Sequence, residues 1–360
     1  MIKLNVHLAD RGYPIYITRG YADFAKCIAP AKPGMHMAVI TDENVDKYQA
    51  EEFISCIENE GFKPVKYVIK AGEDNKNLDT VRDIYSFLLN NNFDRHSILI
   101  ALGGGVVGDI TGFAAATYMR GIDFIQVPTT LLAQADSSVG GKVGVDFCGS
   151  KNIIGSFYQP KMVYMNVNSL KTLPLREMRS GLAEVIKHGL IKDPEFFEYI
   201  DDNIERIFNF NEEILKYMAK VNCSIKSGVV EKDEKESGLR AILNFGHTIG
   251  HAIESVSNFK LLHGECVSIG IAGAFRISCH MGMLKEETVR LVETTLVKAG
   301  LPVRYHEMDI DNVYGQMFRD KKIENGKLKF VLPKRIGEVI QCTVDDPELI
   351  KKVLGELKDM

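Results

Sequence analysis

The sequence has no tryptophan, no C-x-x-C pair and no long apolar run. Its seven cysteines are odd in number and scattered, which excludes a disulfide framework and a thiolate zinc site and favours a reducing, cytoplasmic setting. Charges at Lys3, Asp10 and Arg11 interrupt any signal segment, and no stretch of about 18 uninterrupted apolar residues occurs, so we expect no membrane partner. With 44 Lys plus Arg against 48 Asp plus Glu, the chain also lacks the basic excess expected of a nucleic-acid-binding surface.

The first half of the 360 residues alternates short apolar runs with amphipathic helical patterns. This alternation is typical of βαβ units and predicts an α/β domain with a mostly parallel sheet. One helix is marked by an apolar stripe that runs from Leu78 to Leu88. The predicted strands cover residues 37–41, 66–69, 97–102 and 124–128.

After Pro174 the alternation stops and long helical patterns follow. We therefore predict two domains, an α/β domain over residues 1–174 and an all-helical domain over residues 175–360. The predicted helices of the second domain cover residues 176–190, 194–210, 212–227 and 264–281.

A glycine-rich turn follows the predicted strand 97–102. Gly103 to Gly108 satisfies G-x-G-x-x-G between a strand and a helix, where glycine backbone can approach a pyrophosphate. An ordinary tight turn is the competing interpretation. An acidic residue about 20 positions on is expected to bind the ribose, but Asp123 begins a later strand, so Asp42 at the end of an earlier strand is the better candidate.

Three of the nine histidines fall close together. His247 and His251 are four residues apart and share a helix face, and His263 follows. Glu184 lies on a predicted helix with few other polar groups. Two or three imidazoles with one carboxylate and an open position make the ligand set of a catalytic zinc site. Spacing alone does not decide between Glu184 with His188 and Glu184 with the distant histidines.

Other polar residues at predicted strand ends or in apolar surroundings form a third group of candidates. Glu73 and Lys76 follow one strand, and Thr129 and Thr130 follow another, where open α/β sheets bind ligands. If several of the lysines and arginines converge, they would bind a phosphate or a carboxylate. These cations are Lys142, Lys151, Lys187, Lys226, Arg240, Lys321 and Lys322.

Taken together, these stretches resemble the 3-dehydroquinate synthase family of sugar-phosphate cyclases over nearly the whole chain. The most specific matches are GGGVVGD at 103–109, QVPTTLLAQ at 126–134, DSSVGGK at 136–142, RAILNFGHTIGH at 240–251 and DKK at 320–322. The sequence departs from the usual family residues in two loops, at Lys70-Ala71 and at Asp146. Neither departure removes a charge or ligand that the chemistry needs.

The resemblance implies a Rossmann-like N-terminal domain, a helical C-terminal domain, bound NAD, one Zn2+ or Co2+ ion and a homodimer. It assigns the metal to Glu184, His247 and His263, and leaves His251 to act on substrate and His188 as a bystander. The implied NAD contacts are Asp42, Glu73, Lys76, Gly104, Gly105, Asp109, Thr129, Thr130, Lys142, Lys151, Thr172 and Leu173. The implied catalytic and substrate contacts are Asp136, Lys142, Asn152, Lys187, Lys226, Arg240, Asn244, His251 and Lys321 or Lys322, with Arg120 reaching across the dimer.

The reaction that the resemblance implies is a net redox-neutral lyase reaction of the shikimate pathway, which leads to chorismate and the aromatic amino acids. A sugar phosphate, 3-deoxy-D-arabino-heptulosonate 7-phosphate, would be oxidised transiently by NAD, lose phosphate by β-elimination, be reduced, and close to 3-dehydroquinate by an intramolecular aldol reaction. The alternatives are another cyclase, such as a 2-deoxy-scyllo-inosose or epi-valiolone synthase, a metal-dependent polyol dehydrogenase, and an inactive NAD-binding protein.

Overall fold

The computed structural model describes residues 1–28, 35–258, 260–318, 323–324 and 327–358. They form two units, one of residues 1–174 with 210–231 and one of residues 175–209 with 232–360. In chain order the strands are β1 Ile2–Val6, β2 Tyr13–Thr18, β3 Met37–Asp42, β4 Pro64–Ile69, β5 Ile98–Gly103, β6 Asp123–Pro128, β7 Lys142–Phe147, β8 Ser150–Phe157, β9 Met162–Asn166, β10 Ile323–Glu324, β11 Lys327–Arg335 and β12 Glu338–Val344.

The helices likewise follow in chain order, and none in the described ranges combines the length and apolar character needed to cross a bilayer. They are α1 Phe24–Cys27, α2 Glu43–Val45, α3 Glu51–Glu58, α4 Leu78–Asn90, α5 Gly105–Thr117, α6 Leu175–Lys192, α7 Pro194–Phe208, α8 Glu212–Val230, α9 His247–Val256, α10 His263–His280, α11 Glu286–Lys298, α12 Ile310–Met317 and α13 Pro347–Lys358. Short 3-10 turns span Ala9–Arg11, Glu73–Asn75, Tyr118–Arg120, Val167–Thr172 and Leu239–Asn244, and π-helical turns span Asp46–Ala50 and Ala133–Ser137.

The first unit is built on a sheet whose strand order is β1-β2-β9-β6-β5-β3-β4. The β1–β2 pair is antiparallel, and the other pairs are parallel. All six residues of β5 are buried, as expected for a parallel strand covered on both faces. The predicted Rossmann-like, parallel-sheet domain is confirmed. Because the strands are parallel, the carboxyl ends of β3, β5 and β6 meet at one edge.

The predicted strands and helices of the first domain are present with shifts of a few residues at their ends. The apolar stripe on α4 buries Val81, Ile84 and Leu88, whereas Leu78 at its start stays exposed. Asn77 caps this helix by accepting a hydrogen bond from the Thr80 amide at 3.0 Å.

The second unit is largely helical, but the prediction that it is all-helical is wrong. Within the described residues, β10, β11 and β12 form an antiparallel sheet. The chain reverses between β11 and β12 at Gly337, whose φ of 85° suits glycine. The middle of β11, from Phe330 to Leu332, is buried. This apolar run therefore forms a buried strand. It was not predicted, because the segments before it all show helical patterns.

The first unit is interrupted after Pro174, and residues 210–231 group with it rather than with the second unit. Helix α8 packs on this unit through its buried face. Asn222 donates a hydrogen bond to the Ala135 carbonyl at 2.7 Å, and the Cys223 and Met165 sulfur atoms are 3.8 Å apart. The first unit is therefore discontinuous in sequence, which helical periodicity alone does not reveal.

Candidate active site

Three donor side chains of the second unit converge from three helices. Glu184 lies in the middle of α6, His247 begins α9 and His263 begins α10. Glu184 Oε1 is 3.6 Å from His247 Nε2 and 3.4 Å from His263 Nε2. Their donor atoms all lie within 4.8 Å of one another. A carboxylate and two imidazoles are therefore gathered around one small volume.

Glycines allow these helices to approach backbone to backbone. A Cβ atom at Gly264, beside His263, would lie only 1.9 Å from the Ser180 carbonyl oxygen of α6. A Cβ atom at Gly270 would lie 1.8 Å from the Gly246 carbonyl oxygen, directly before α9. No side chain fits at these contacts, so the separation of the donor side chains depends on glycine.

The two histidine rings are oriented by partners on their other nitrogens. His247 Nδ1 donates to the Phe245 carbonyl at 3.0 Å, which leaves the Nε2 lone pair facing Glu184. Burial and the charge of Lys187 hold the pKa of His247 well below its usual range, so this ring is neutral. His263 Nδ1 lies 3.6 Å from Glu254 Oε2. A carboxylate behind a histidine is a common second partner in metal sites.

The chemistry of this donor set fits a divalent transition metal. Oε1 of Glu184 is buried and accepts no hydrogen bond from any residue that the structure describes. Burial would raise the pKa of Glu184, but Lys187 and both histidines lower it well below the usual value, so the carboxylate is ionised. An ionised carboxylate and a neutral imidazole are the forms that bind a metal ion.

The remaining histidines of this region lie close to the same group. His251 lies one turn after His247, with ring centroids 5.0 Å apart. His188 is fully buried one turn after Glu184, and their donor atoms also lie within 4.8 Å. Proximity therefore does not exclude His188, and its assignment as a bystander stays a prediction. Glu184, His247 and His263 combine two imidazoles with a carboxylate, and His251, Glu254 and His263 form a second such set that shares His263.

The second unit also brings cationic and amide groups of the predicted site into defined positions. Lys187 is buried against Glu184 and donates to the Leu243 carbonyl at 2.6 Å. Arg240 is 3% exposed and donates to the Glu234 carbonyl. Asn244 donates to Glu236 Oε1 at 2.6 Å.

The loop that leads to Arg240 is tied down by Asp233, which the sequence interpretation missed. The Asp233 carboxylate accepts hydrogen bonds from the backbone amides of Ser237, Gly238 and Arg240 at 2.7–2.9 Å. These amides hold the pKa of Asp233 well below its usual range. No sequence motif marks this role, since it consists of contacts to backbone amides.

In the first unit the glycine turn lies at the carboxyl edge of the sheet. Gly104 caps α5 without any side-chain cap, and a Cβ atom there would lie 3.0 Å from Thr130 Cγ2. The Thr129 hydroxyl is buried and meets no hydrogen-bond partner among the described residues. Asp42, at the end of β3, accepts from the Asn44 and Val45 amides through Oδ1. The backbone amides at the start of α5, Gly104 and the Thr129 hydroxyl are groups of the kind that bind the phosphates of a dinucleotide.

A second polar cluster of this unit surrounds Lys76, which is 4% exposed. Its Nζ lies 2.6 Å from Asp109 Oδ2 and also donates to Asn152 Oδ1. Glu73 lies at its edge, 3.9 Å from Lys76 and 3.7 Å from Lys151. Burial would lower the pKa of Lys76, but Asp109, Glu73 and Asp146 together outweigh burial and raise it, so the ammonium group stays charged.

We expect Lys76→Met to lower the free energy of unfolding by about 2–3 kcal/mol, because Asp109 would keep a largely buried charge without its cation. The change is measured by urea denaturation of the ligand-free protein. Arg82→Met is the matched control, since Arg82 pairs with Asp79 in an exposed position. Its effect should be close to zero. Equal effects of the two substitutions would contradict the role of the Lys76–Asp109 pair.

The other predicted substrate groups of the first unit lie between residues 136 and 152 and on α8. Lys226 of α8 pairs with Asp136 Oδ1 at 2.6 Å. Lys142 begins β7 and is exposed. Asn152 on β8 adopts a positive φ of 52°, and its amide donates to Asp146 Oδ1 at 2.7 Å. Asp146, noted as a departure from the family residue, therefore supports the loop shape around Asn152.

Of the remaining predicted site residues, three lie within the described part of the chain and two do not. Arg120 is exposed after α5, and both it and Met119 have a positive φ. Thr172 ends the 3-10 turn Val167–Thr172 after β9, and Leu173 follows it directly. Lys321 and Lys322 lie outside the described residues.

Known proteins identify the family. Two family models match the chain, one described as 3-dehydroquinate synthase N-terminal over residues 66–180 and one as 3-dehydroquinate synthase C-terminal over residues 181–323. A curated 3-dehydroquinate synthase of Acetivibrio thermocellus is 65% identical over 358 residues, 99% of each chain. The chain belongs to the 3-dehydroquinate synthase family. One from Ruminiclostridium cellulolyticum is 58% identical over the full length of both chains. The resemblance drawn from the motifs is confirmed, and the chain is an enzyme of this family.

Several solved structures share the fold. A 2-deoxy-scyllo-inosose synthase complexed with carbaglucose-6-phosphate, NAD+ and Co2+ has a TM-score of 0.90 at 25% identity, covering 99% of this chain and 100% of that chain. The 2-epi-5-epi-valiolone synthase of Streptomyces hygroscopicus, with NAD+ and Zn2+, has a TM-score of 0.89 at 25% identity, covering 98% of both chains. Butanol dehydrogenase A of Thermotoga maritima, at 14% identity and a TM-score of 0.68, shares the fold alone.

Proposed function

We propose that the chain converts 3-deoxy-D-arabino-heptulosonate 7-phosphate to 3-dehydroquinate and phosphate. The observation that carries the proposal is the full-length identity, up to 65%, to curated 3-dehydroquinate synthases. The convergence of Glu184, His247 and His263 supports it from the structure. The residue roles given next are part of the same proposal.

In this proposal the first unit binds NAD and the second unit binds Zn2+ or Co2+. Solved relatives with NAD+ and either ion support both assignments. When bound, the metal ion polarises a substrate hydroxyl, and the nicotinamide accepts and later returns a hydride. Glu184, His247 and His263 would hold the ion. The NAD contacts would be Asp42, Glu73, Lys76, Gly104, Gly105, Asp109, Thr129, Thr130, Lys142, Lys151, Thr172 and Leu173.

The substrate carries a phosphate and a carboxylate, and the predicted site residues include several cations that would bind these anions. The Arg240 guanidinium offers a planar fork for two oxygens of one anion. Lys187 would place a buried positive charge beside Glu184, where negative charge grows on a substrate oxygen. Asn244 and His251 would donate hydrogen bonds that orient the sugar. Asp136, Lys142, Asn152, Lys226 and Lys322 complete the proposed contacts.

The proposal extends to assembly and setting. We expect a homodimer in which Arg120 reaches the site of the partner subunit. The left-handed backbone at Met119 and Arg120 supports this, because strained exposed residues tend to be held for a function. A cytoplasmic setting is supported by the seven cysteines, all described, none of which is joined in a disulfide.

We expect binding of a divalent ion to strengthen as the pH rises. Burial alone would lower the pKa of His263, but Glu184 and Glu254 outweigh it and raise it to about 10. The ion must displace the proton of this ring, so its Kd should fall by up to about tenfold per pH unit below that value. The same proton stabilises the metal-free fold fully below the ordinary pKa of 6.5, and this contribution is lost as the pH rises through about 10.

This pH dependence is measured by zinc titration against a chelating dye at several pH values between 6 and 9. The reference is Glu254→Gln, which removes one of the two charges that raise the pKa of His263 and should flatten the dependence. A zinc Kd that does not change with pH in the unaltered protein would contradict the expectation.

The proposed function is tested by product analysis. The purified protein is incubated with zinc, NAD and 3-deoxy-D-arabino-heptulosonate 7-phosphate, and in parallel with glucose 6-phosphate and sedoheptulose 7-phosphate. We expect 3-dehydroquinate and inorganic phosphate from the first substrate alone. Phosphate released only from glucose 6-phosphate or sedoheptulose 7-phosphate would instead assign the chain to a sister cyclase reaction.

A further inference from the structure

The 3-10 turn Val167–Thr172, which carries Thr172 and leads into Leu173, is held by buried glutamines. Gln49 is 6% exposed, and its Nε2 donates to the Ser169 carbonyl at 3.1 Å and to Thr172 Oγ1 at 2.9 Å. These bonds cross from the helical segment after β3 to the turn after β9. Gln49 thus fixes the hydroxyl of Thr172 directly.

A second glutamine holds the same turn from the other side. Gln134 is 2% exposed, and its Nε2 lies 3.2 Å from Ser169 Oγ and 3.2 Å from the Asn166 carbonyl at the turn's N-cap. It also lies 3.2 Å from the Pro128 carbonyl at the end of β6. The turn is therefore fastened to the carboxyl ends of two neighbouring strands.

Both glutamines lie in π-helical turns. Gln49 belongs to Asp46–Ala50, which follows Asp42, and Gln134 belongs to Ala133–Ser137, which follows Thr130. Such turns are rare and frequent at functional sites. Tyr21 fixes the orientation of the Gln49 side chain. Its buried hydroxyl donates to Oε1, which leaves the Nε2 group facing the turn.

We propose that Gln49 and Gln134 are positioning residues for the dinucleotide, which act by fixing the 167–172 turn. The turn carries Thr172 and leads into Leu173, two of the proposed NAD contacts, so the inference rests on the proposed function. Neither glutamine needs to touch NAD. Their amide groups hold the turn in place before NAD binds, so that less conformational entropy of the protein is lost on binding.

The test uses Gln49→Met and Gln134→Met, which keep the side-chain size and remove the hydrogen bonds. Each variant should raise the NAD Kd, measured by titration calorimetry, roughly tenfold, about the worth of one or two neutral hydrogen bonds. The double variant should raise it by less than the product of the two, because both act on one turn. Zinc content, and the KM for the sugar phosphate at saturating NAD, should not change.

Hydrogen exchange of the NAD-free protein provides a readout that does not depend on NAD. Peptides covering residues 167–173 should exchange faster in both variants. Tyr118→Phe is the control, because its hydroxyl donates to the buried Phe93 carbonyl at the amino ends of the strands, far from this turn. It should lower stability without changing the NAD Kd or exchange in 167–173.

An NAD Kd equal to that of the unaltered protein in both glutamine variants would overturn the inference, whatever their melting temperatures. If the unaltered protein itself fails to bind NAD, the proposed function fails. In that case unchanged exchange in 167–173 would still overturn the holding role of the glutamines.

Discussion

His247→Ala should release the divalent ion from the protein and abolish turnover. His247 supplies one of three donor atoms, and its Nε2 faces Glu184 Oε1 at 3.6 Å. Substitutions behind a ligand lower metal affinity by about 10–100-fold, so loss of a ligand should cost more than that. Metal content after dialysis, measured by atomic emission, and the rate of phosphate release both report the effect.

The matched control is His188→Ala, which alters a third histidine near Glu184. Because His188 is fully buried, its replacement should lower stability but leave zinc bound at one ion per chain. If His188→Ala loses the ion while His247→Ala keeps it, the assigned ligand set is wrong. Measuring metal content in the folded fraction, separated by gel filtration, keeps the comparison valid when a variant is unstable.

Gly270→Ala should both destabilise the protein and weaken metal binding. A Cβ atom at Gly270 would lie 1.8 Å from the Gly246 carbonyl oxygen, so α9 and α10 must move apart. Overpacking of this kind costs about 1–3 kcal/mol, and more when backbone must shift. The same movement separates His247 from His263, so the zinc Kd should rise as well. Urea unfolding and zinc titration measure the two effects.

Gly315→Ala in α12 is the control for the glycine argument, since nothing lies within 4 Å of a Cβ atom there. Alanine at an open helical position should be neutral or stabilise by up to about 1 kcal/mol. Wild-type stability and zinc affinity in Gly270→Ala would show that close backbone contact does not set the donor geometry.

Three of the four predicted strands, β3, β5 and β6, have nearly all their residues buried. The fourth, β4, is only partly buried, and the fully buried β9 was not predicted. β3 and β5 are continuous apolar runs, each ended by Asp42 or Gly103. β8 could not be predicted, because its residues are almost all exposed and show no apolar face. The strand β12 was missed for a related reason, because its residues are mostly only half-buried. Hydrophobic periodicity reports burial, so it misses strands whose stability comes from pairing.

The site residues that could be predicted are those whose side chains themselves carry the chemistry, such as metal ligands. Glu184 and the nearby histidines were candidates because carboxylates and imidazoles are metal ligands, whereas the choice of His247 and His263 came from the family resemblance. The structure brings the donor atoms of Glu184, His247 and His263 within 4.8 Å of one another. The role of Glu254 could not be predicted, because it consists of a contact between its carboxylate and Nδ1 of His263. The same holds for residues defined by contacts, such as Gly270 and Gln49, since no spacing along the chain signals a backbone approach or a buried amide bond.

In the proposed reaction the enzyme recycles its NAD, and the ratio of phosphate released to NAD supplied measures this recycling. The protein is mixed with zinc, 3-deoxy-D-arabino-heptulosonate 7-phosphate and NAD below the enzyme concentration, while phosphate and absorbance at the NADH band are followed together. We expect many phosphates per NAD with no accumulation of NADH. One phosphate or fewer per NAD, with NADH accumulating in step, would contradict it and indicate a dehydrogenase.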